Sequence, residues 1–174
     1  MTTSTTAVHI PATGTYRVDS AHSAIGFSAK HMFGTGTVTG SFAVTSGDIR
    51  VADPVTDSQV SATAAAQSFD SANPKRDAQV KSKSFLHADA HPQILFRSTG
   101  ITLADDQLIL RGEITARGAA APVDLTVIES RSDAAGLTLR ATGKVDRYAH
   151  GITKMKGMAG RYLSLDISVS ASRV

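Results

Sequence analysis

The side chains in this sequence that could take part in chemistry are its histidines and carboxylates. The chain has no cysteine, and its six histidines stand at positions 9, 22, 31, 87, 91 and 150. Metal sites need such residues at set spacings. The best pair is His87 and His91, with Asp89 between them. Because Pro92 biases His91 towards extended backbone, this pair lacks the helix that would align it, and we predict no metal ligand.

An acid–base pair is the second chemical candidate. Asp146 and His150 are four residues apart, and such a pair could serve a small-molecule enzyme. No Gly-x-Ser-x-Gly motif, Walker motif or Rossmann glycine pattern accompanies it. We therefore predict no catalytic residue and no cofactor, and keep an enzyme as the alternative.

A cationic stretch is the third candidate. Lys75, Arg76, Lys81 and Lys83 crowd one segment, where they could contact a diphosphate head group or an anionic membrane surface. A solvated face is the favoured interpretation. The neighbouring Arg76-Asp77 pair is either a head-group contact or an anchor between a helix and the rest of the fold, and we favour the anchor.

The elements that must position these residues are strands. Apolar and polar residues alternate along one segment after another: Leu108, Leu110, Gly112 and Ile114 stand against Gln107, Arg111 and Glu113, and Leu163, Leu165, Ile167 and Val169 against Ser164, Asp166 and Ser168. A period of two places one face of a strand in the core and the other in water. This is typical of an antiparallel sheet that must pair with another sheet or close on itself.

The predicted strands cover about 15–19, 22–33, 37–45, 58–66, 93–99, 107–117, 123–131, 137–147 and 161–172. If the first two form one bent strand, there are eight. The alternation stops between Phe69 and Pro92, where Asn73 can cap a helix and Pro74 suits its first position. We predict an all-β fold, a single antiparallel barrel with one short helical insert at 73–83.

The interior of such a barrel can be full or hollow. The positions predicted to face inward include many small residues, namely Ala29, Gly40, Ala62, Ala64, Gly112, Ala116, Ala141 and Gly143. Small inward residues leave space inside the barrel. Because protein interiors are normally close-packed, space left at so many positions favours an elongated apolar cavity. The pattern equally fits a flattened barrel whose two walls touch and leave no cavity. Such a filled barrel would serve as an interaction module that binds a partner protein.

Composition limits the remaining classes. The chain has 174 residues and a net charge of +3, and no basic run interleaved with aromatic residues, so we expect no nucleic-acid partner. No segment approaches the roughly 20 apolar residues of a membrane span, and the first 13 residues do not resemble a secretory signal. We expect a cytoplasmic protein without stable membrane insertion, with a disordered tail over 1–13 and one domain over 14–174.

Several motifs, in order along the chain, resemble the YceI-like family. They are YRVDSAHSAIGFSAKHM at 16–32, VTGSF at 38–42 with Gly47, SFDS at 68–71, Arg76-Asp77, KSKSF at 81–85, HPQILF at 91–96, GEIT at 112–115, Arg117-Gly118, PVDL at 122–125, VDR at 145–147 and Gly151-Ile152. The resemblance covers about residues 14–172. It departs after Arg147, where relatives often carry an acidic residue and Phe and this chain has Ala149-His150.

The resemblance implies an extended lipocalin-like barrel of eight antiparallel strands around a long apolar tunnel. It implies binding of a polyisoprenoid or other long-chain amphiphilic lipid, without catalysis; the enzyme alternative would be an isomerase or hydrolase acting on an isoprenoid-like substrate. Many relatives are periplasmic. Relatives often pair, and the outward Leu95, Ile109 and Ile128 could form the contact of a homodimer.

An apolar chain binds because its surface leaves water, at about 25 cal/mol per Å², so the candidate ligand-binding residues are those expected to face the interior or its rim. His31 could contact a head group, and Phe69 and Phe85 could form a lid. The predicted ligand-binding residues are Ile25, Phe27, His31, Phe42, Val44, Val60, Ala62, Phe69, Phe85, Phe96, Leu110, Ile114, Leu125, Leu139, Val145, Leu165 and Ile167.

Overall fold

Alternating strands with one apolar face wrap around a single interior in the computed structural model of the chain. The structure describes residues 8–31, 35–105, 107–156 and 158–174. Its strands are β1 Gly14–Val18, β2 Ala24–His31, β3 Gly36–Val51, β4 Gln59–Ala65, β5 Gln93–Ala104, β6 Gln107–Ala116, β7 Ala119–Ser132, β8 Gly136–Asp146 and β9 Ala159–Arg173. The helix α1 spans Pro74–Lys81, and 3-10 turns span Ser20–His22, Val55–Asp57, Ala66–Ser68 and Arg147–His150.

The sheet closes into a barrel. Neighbouring strands pair antiparallel in the order β3-β2-β9-β8-β7-β6-β5-β4, and β4 pairs with β3 to complete the ring. The short β1 pairs with β3 and β9 at one end of the barrel, and β2 pairs with the same two strands at the other end. The two therefore share one place in the ring. This confirms the predicted all-β barrel of eight antiparallel strands with one short helix.

Three strands extend by four or more residues beyond the predicted bounds. β3 continues to Val51, β5 continues to Ala104, and β7 begins at Ala119. The pairing of β3 with β4 shifts between Val44 and Ser46, and inward-facing apolar residues fall at even positions before this bulge and at odd positions after it. A β-bulge inserts one residue and thereby inverts the alternation, so the pattern in the sequence ended at the bulge although the strand did not.

The helical insert begins as predicted. The Asn73 side chain accepts a hydrogen bond from the backbone N–H of Arg76 at 3.0 Å, and Pro74 occupies the first turn. The helix ends at Lys81, two residues before the predicted boundary. Downstream of it, Phe85 and Leu86 are buried against Ile152, so the insert is held on the barrel by apolar contacts.

The two ends of the barrel differ. The connections of residues 52–58 and 133–135 lie at one end, which we call the turn end. The segment 66–92 that contains α1, the turn at 117–118 and the connection 147–158 lie at the opposite end, which we call the helical end. The two long connections meet there, because the Arg117 guanidinium donates to the carbonyl oxygens of Gly151 and Lys83 at 2.6 and 3.1 Å.

The segment before β1 runs along the barrel. Val8 forms a bridge with Ser130, the Ser130 hydroxyl donates to the carbonyl of His9, and the Tyr16 hydroxyl donates to the carbonyl of Ala12 at 2.7 Å. Residues 8–12 of the predicted tail therefore contact the barrel, whereas 1–7 lie outside the described residues. Among the described residues, no helix has the length and hydrophobicity needed to span a membrane.

Candidate functional site

An apolar cavity lies inside the barrel. Its volume is about 200 Å³, and residues of β2 to β9 line it, together with Val18 of β1. Four more lining residues come from the connections and the 3-10 turn at the helical end. Many of these side chains, such as Ile25, Phe96 and Leu165, remain only half-buried although they face the interior. Their remaining accessible surface belongs to the cavity wall, so the barrel is not filled by its own side chains.

Alanines create the space. Ala62 and Ala64 of β4, Ala116 of β6 and Ala141 of β8 all line the cavity. The inward glycines act differently, because each receives a neighbouring side chain. A Cβ on Gly112 would lie 2.7 Å from the Phe96 ring and 2.5 Å from the carbonyl oxygen of Arg97. The predicted small-residue interior therefore combines alanines that open the cavity with glycines that let large side chains lie flat against the sheet.

Apolar clusters close both ends of the cavity. At the turn end, Tyr16, Ile49, Val51, Leu137 and Ala171 form one buried cluster. At the helical end, Phe85, Leu86 and Ile152 form another, against which Phe42, Val80 and Ile94 pack. Phe85, Leu86 and Ile152 come from long connections rather than from strands, so packing of the connections closes this end.

Arg147 gives the helical end of the cavity a positive charge. It lines the cavity and is 5% exposed. Its guanidinium donates to the carbonyl oxygens of Gly160, Ile152 and Ala159 at 2.8, 2.9 and 3.0 Å. Burial lowers the pKa of this guanidinium. No carboxylate forms an ion pair with it within the described residues. Three carbonyl dipoles, together with the Tyr148 ring whose centroid lies 5.0 Å from the guanidinium carbon, compensate a cation beside an apolar space.

His150 is the second polar side chain at this end. It is 4% exposed and lines the cavity. Its Nδ1 lies 2.8 Å from the carbonyl oxygen of Ala119. Since a carbonyl only accepts, Nδ1 carries a proton, and in the neutral form of the ring Nε2 keeps a lone pair. Arg147 and His150 therefore lie together at one end of a cavity whose accessible surface is almost entirely apolar.

Thirteen of the residues predicted from the sequence line the cavity, and their role in ligand binding stays a prediction. They are Ile25, Phe42, Val44, Val60, Ala62, Phe96, Leu110, Ile114, Leu125, Leu139, Val145, Leu165 and Ile167. Phe27 instead stacks on Phe69, with ring centroids 5.0 Å apart, and Phe69 also meets Phe42 at 5.3 Å. Phe69 and Phe85 are buried behind the wall, and the His31 side chain lies outside what the structure describes.

The list of ligand-binding residues predicted from the sequence omitted other residues of the wall. The sequence did predict Ala64, Ala116 and Ala141 to face inward and Leu163 and Val169 to lie on the apolar face of their strand. Extending the alternation could also have found Val18, Ile49, Ile94 and Val127. Leu86, Arg147, His150 and Ile152 come from connections and turns. No periodic signal marks such positions, because their direction depends on the path of the connection.

The other chemical candidates are engaged elsewhere. The Asp146 carboxylate binds the Arg161 guanidinium at 2.9 and 3.0 Å, whereas His150 contacts the Ala119 carbonyl. His87 and His91 meet edge to face, with centroids 5.5 Å apart, and the described residues contain no group of three or more histidines and carboxylates that could hold a metal ion. Asp77 accepts hydrogen bonds from the backbone N–H and hydroxyl of Ser71 at 2.9 and 2.6 Å.

The residues of the predicted dimer contact are not equally exposed. Leu95 is 42% exposed, whereas Ile109 and Ile128 are half-buried. The homodimer stays a prediction.

Comparison with protein families identifies one match, in which the model of the YceI-like domain matches residues 16–172. No curated protein matches the chain.

Solved structures share the fold at low sequence identity. Burkholderia cenocepacia BcnA is 20% identical with a TM-score of 0.76, over 88% of this chain and 98% of that one. A polyisoprenoid binding domain from Saccharophagus degradans, implicated in plant cell wall breakdown, is 10% identical with a TM-score of 0.69, over 91% and 98%. A Campylobacter jejuni YceI protein is 17% identical with a TM-score of 0.62, over 76% and 81%.

Proposed function

Because the chain belongs to the YceI-like family, we propose that it binds a long-chain apolar or amphiphilic molecule, a polyisoprenoid or fatty-acid-like lipid, inside its barrel. In this role it carries or sequesters the lipid and catalyses no reaction. The similarity in fold to a polyisoprenoid binding domain from Saccharophagus degradans supports the class of ligand.

The observation that carries the proposal is the unfilled apolar wall. Apolar side chains in a barrel interior normally pack to the density of an organic crystal. Here inward-facing residues on opposite walls, such as Val60 and Ile167, remain partly accessible to a cavity of about 200 Å³. A hydrocarbon chain would remove this surface from water, at about 25 cal/mol per Å² of apolar area.

The distribution of polar groups orients the ligand. The wall contributed by the middle of the barrel is apolar, whereas Arg147 and His150 lie together at the helical end. An amphiphile would therefore place its hydrocarbon tail along the strands and its polar head at the helical end. A head group with a hydroxyl can donate to Nε2 of His150, and its oxygen can accept from Arg147.

No reaction follows from this arrangement. A general acid or base must reach the proton that it transfers, and the carboxylate adjacent in sequence, Asp146, is bonded to Arg161. Arg147 and His150 each hold a backbone carbonyl, which suits a fixed recognition site.

Native mass spectrometry of protein purified without detergent tests the proposal. We expect a stoichiometric adduct that organic extraction releases and that proves to be a long-chain lipid. If the mass corresponds to the bare chain, and remains so after incubation with polyprenols and fatty acids, the proposal is wrong and the barrel has another role.

A further inference from the structure

Positive charge is concentrated in two segments of the chain. Residues 74–84 and 147–161 together contain eight Lys and Arg and one Asp, a net charge of +7. The whole chain carries +3, so the other 148 residues carry −4, with 10 Lys and Arg against 14 Asp and Glu. The protein is therefore electrically polarised, and its modest net charge conceals a strongly basic region.

The two segments are neighbours at the helical end. The Gln79 side-chain amide of α1 donates to the sulfur of Met155 at 3.2 Å. Val80 packs on the cluster that contains Ile152. The Arg117 guanidinium holds the carbonyls of both segments, at Lys83 and Gly151. The basic residues thus form one surface around the end of the cavity, which we call the basic collar.

The lysines of the basic collar are not neutralised by carboxylates. Lys75, Lys81, Lys83, Lys154 and Lys156 form no ion pair within the described residues. The acidic residue within the collar, Asp77, is engaged with Ser71. Asp146, at the edge of the collar, neutralises Arg161. The Lys156 ammonium lies 5.3 Å from the Tyr148 ring centroid, and Lys75, Lys83 and Lys154 are exposed.

Large apolar side chains lie exposed among these lysines. Met155 and Met158 are 42% and 40% exposed, and they flank Lys156 in the sequence Lys154-Met-Lys-Gly-Met158. Tyr162, next to the same connection, is 48% exposed, and the Lys144 ammonium lies 5.0 Å from its ring centroid. Exposed apolar residues beside cations are typical of segments that lie in the interface of a lipid bilayer.

We propose that the basic collar docks on the surface of an anionic phospholipid bilayer, with Met155 and Met158 entering the head-group region. A bilayer accounts for both features, because anionic lipids attract the lysines and the boundary of the acyl chains accepts the methionine side chains. A nucleic acid or an acidic protein would account for the charge alone. The position also fits, since Leu86, Ile152 and Arg147 join the collar to the cavity wall.

Sedimentation with large unilamellar vesicles tests the docking. We expect the protein to bind vesicles of 70% phosphatidylcholine and 30% phosphatidylglycerol at low salt, and to bind pure phosphatidylcholine weakly. NaCl at 0.5 M should release it from the anionic vesicles, because the Debye length then falls to about 4 Å and the attraction is screened. Each lysine near such a surface changes partitioning about fivefold. Lys154→Glu/Lys156→Glu should therefore reduce binding at least about 25-fold.

Two further variants separate charge from insertion. Met155→Ser/Met158→Ser should weaken binding while the residual binding keeps its salt dependence. The matched control is Arg50→Glu/Arg131→Glu, which makes the same charge change at exposed positions towards the turn end. Its loss of affinity should agree, within about twofold, with the loss expected from the change in net charge alone. If the lysine variant disturbs folding in circular dichroism, Lys75→Glu/Lys83→Glu replaces it.

Equal binding of the collar and control variants, or equal binding to both vesicle compositions, would overturn the proposal. So would absence of binding by the natural chain at low salt. Competition by inorganic phosphate beyond that of chloride at equal ionic strength would identify an anion site instead of a bilayer surface. Native mass spectrometry of the same variants reports cavity occupancy separately, so failure of docking is distinguishable from failure of the proposed lipid binding.

Discussion

The Nδ1 atom of His150 lies 2.8 Å from the carbonyl oxygen of Ala119, across the helical end of the barrel. This bond joins the 3-10 turn Arg147–His150 to the first residue of β7. It fixes the imidazole ring at the end of an apolar cavity and assigns the proton to Nδ1, so that Nε2 is the acceptor. In the proposed function, we expect the ring to distinguish a lipid that carries a hydroxyl from one that does not.

Replacing His150 by Phe should remove this distinction while keeping the cavity apolar. One hydrogen bond contributes about 1 kcal/mol, so the ratio of affinities for a C20 prenol and the C20 hydrocarbon of the same chain should fall about fivefold. Competition against a fluorescent fatty probe measures both affinities. The control is His22→Phe, because His22 is exposed and bound to Asp19. An unchanged ratio in His150→Phe would show that the ring does not contact the head group.

Filling the cavity should abolish lipid uptake. Ala62 of β4 and Ala141 of β8 line opposite walls, and a phenylalanine at either position would occupy the space of the tail. We expect the affinity for a C20 prenol to fall more than about tenfold in each variant, since most of the buried apolar area is lost. Thermal unfolding should change little, because the new ring enters an empty volume rather than a packed core.

The choice of position matters for this experiment. Gly112 also faces inward, but a Cβ there would lie 2.5 Å from a backbone oxygen, so a larger residue would disturb the sheet itself. Thr138→Phe serves as the control, since Thr138 is exposed on β8. Full lipid uptake by both Ala62→Phe and Ala141→Phe would show that the ligand binds elsewhere.

The barrel could be predicted from the sequence because most of its strands have one wet face. The alternation directly predicts inward residues such as Leu110, Leu125 and Ile167, all of which line the cavity. It fails beyond a bulge: the pairing of β7 with β8 shifts between Val127 and Glu129, and inward positions change parity there. Prediction from the alternation is therefore reliable within an uninterrupted ladder and not across its irregularities.

The polar end of the cavity could not be predicted in the same way. Asp146 and His150 are four apart, a spacing that aligns side chains on an α-helix. The turn they bound is a 3-10 turn with three residues per turn, and Asp146 caps it by accepting from the Tyr148 N–H at 3.0 Å. The two side chains therefore diverge, and His150 reaches the cavity. The sequence shows the spacing of the two residues. It does not show whether the turn between them is a 3-10 turn or an α-helix, which decides the relative direction of their side chains.

Arg147 should be essential for the stability of the helical end. Its guanidinium satisfies three backbone carbonyls, that of Ile152 in the connection to β9 and those of Ala159 and Gly160 at the start of β9. Replacement by Met keeps much of the apolar volume and leaves those acceptors without their donor, at about 1–3 kcal/mol for a buried group. We expect a loss of about 3 kcal/mol in the free energy of unfolding, measured by urea denaturation.

Arg161→Met provides the comparison for Arg147→Met. Arg161 forms an exposed ion pair with Asp146, and such pairs contribute about 0–1 kcal/mol. Equal losses of stability in the two variants would show that the carbonyl contacts of Arg147 contribute little.

The ionisation of Asp146 offers a direct test of the geometry beside this turn. Hydrogen bonds from the Arg161 side chain hold the pKa of the Asp146 carboxyl below its ordinary value of 3.8, and the backbone N–H of Tyr148 acts in the same direction. A carboxyl with a lowered pKa stabilises the folded state above the pKa of the unfolded chain, and this contribution is lost as the pH falls through the lower, folded value.

Arg161→Gln should raise the pKa of Asp146 towards 3.8, as measured by NMR titration of the side-chain carboxyl carbon. Asp133, whose pKa is lowered by the backbone N–H groups of Gly136 and Ala135, should titrate identically in both proteins, because no arginine contributes to its shift. A titration of Asp146 that does not respond to Arg161→Gln would contradict the ion pair, and with it the placement of the turn that brings His150 to the cavity.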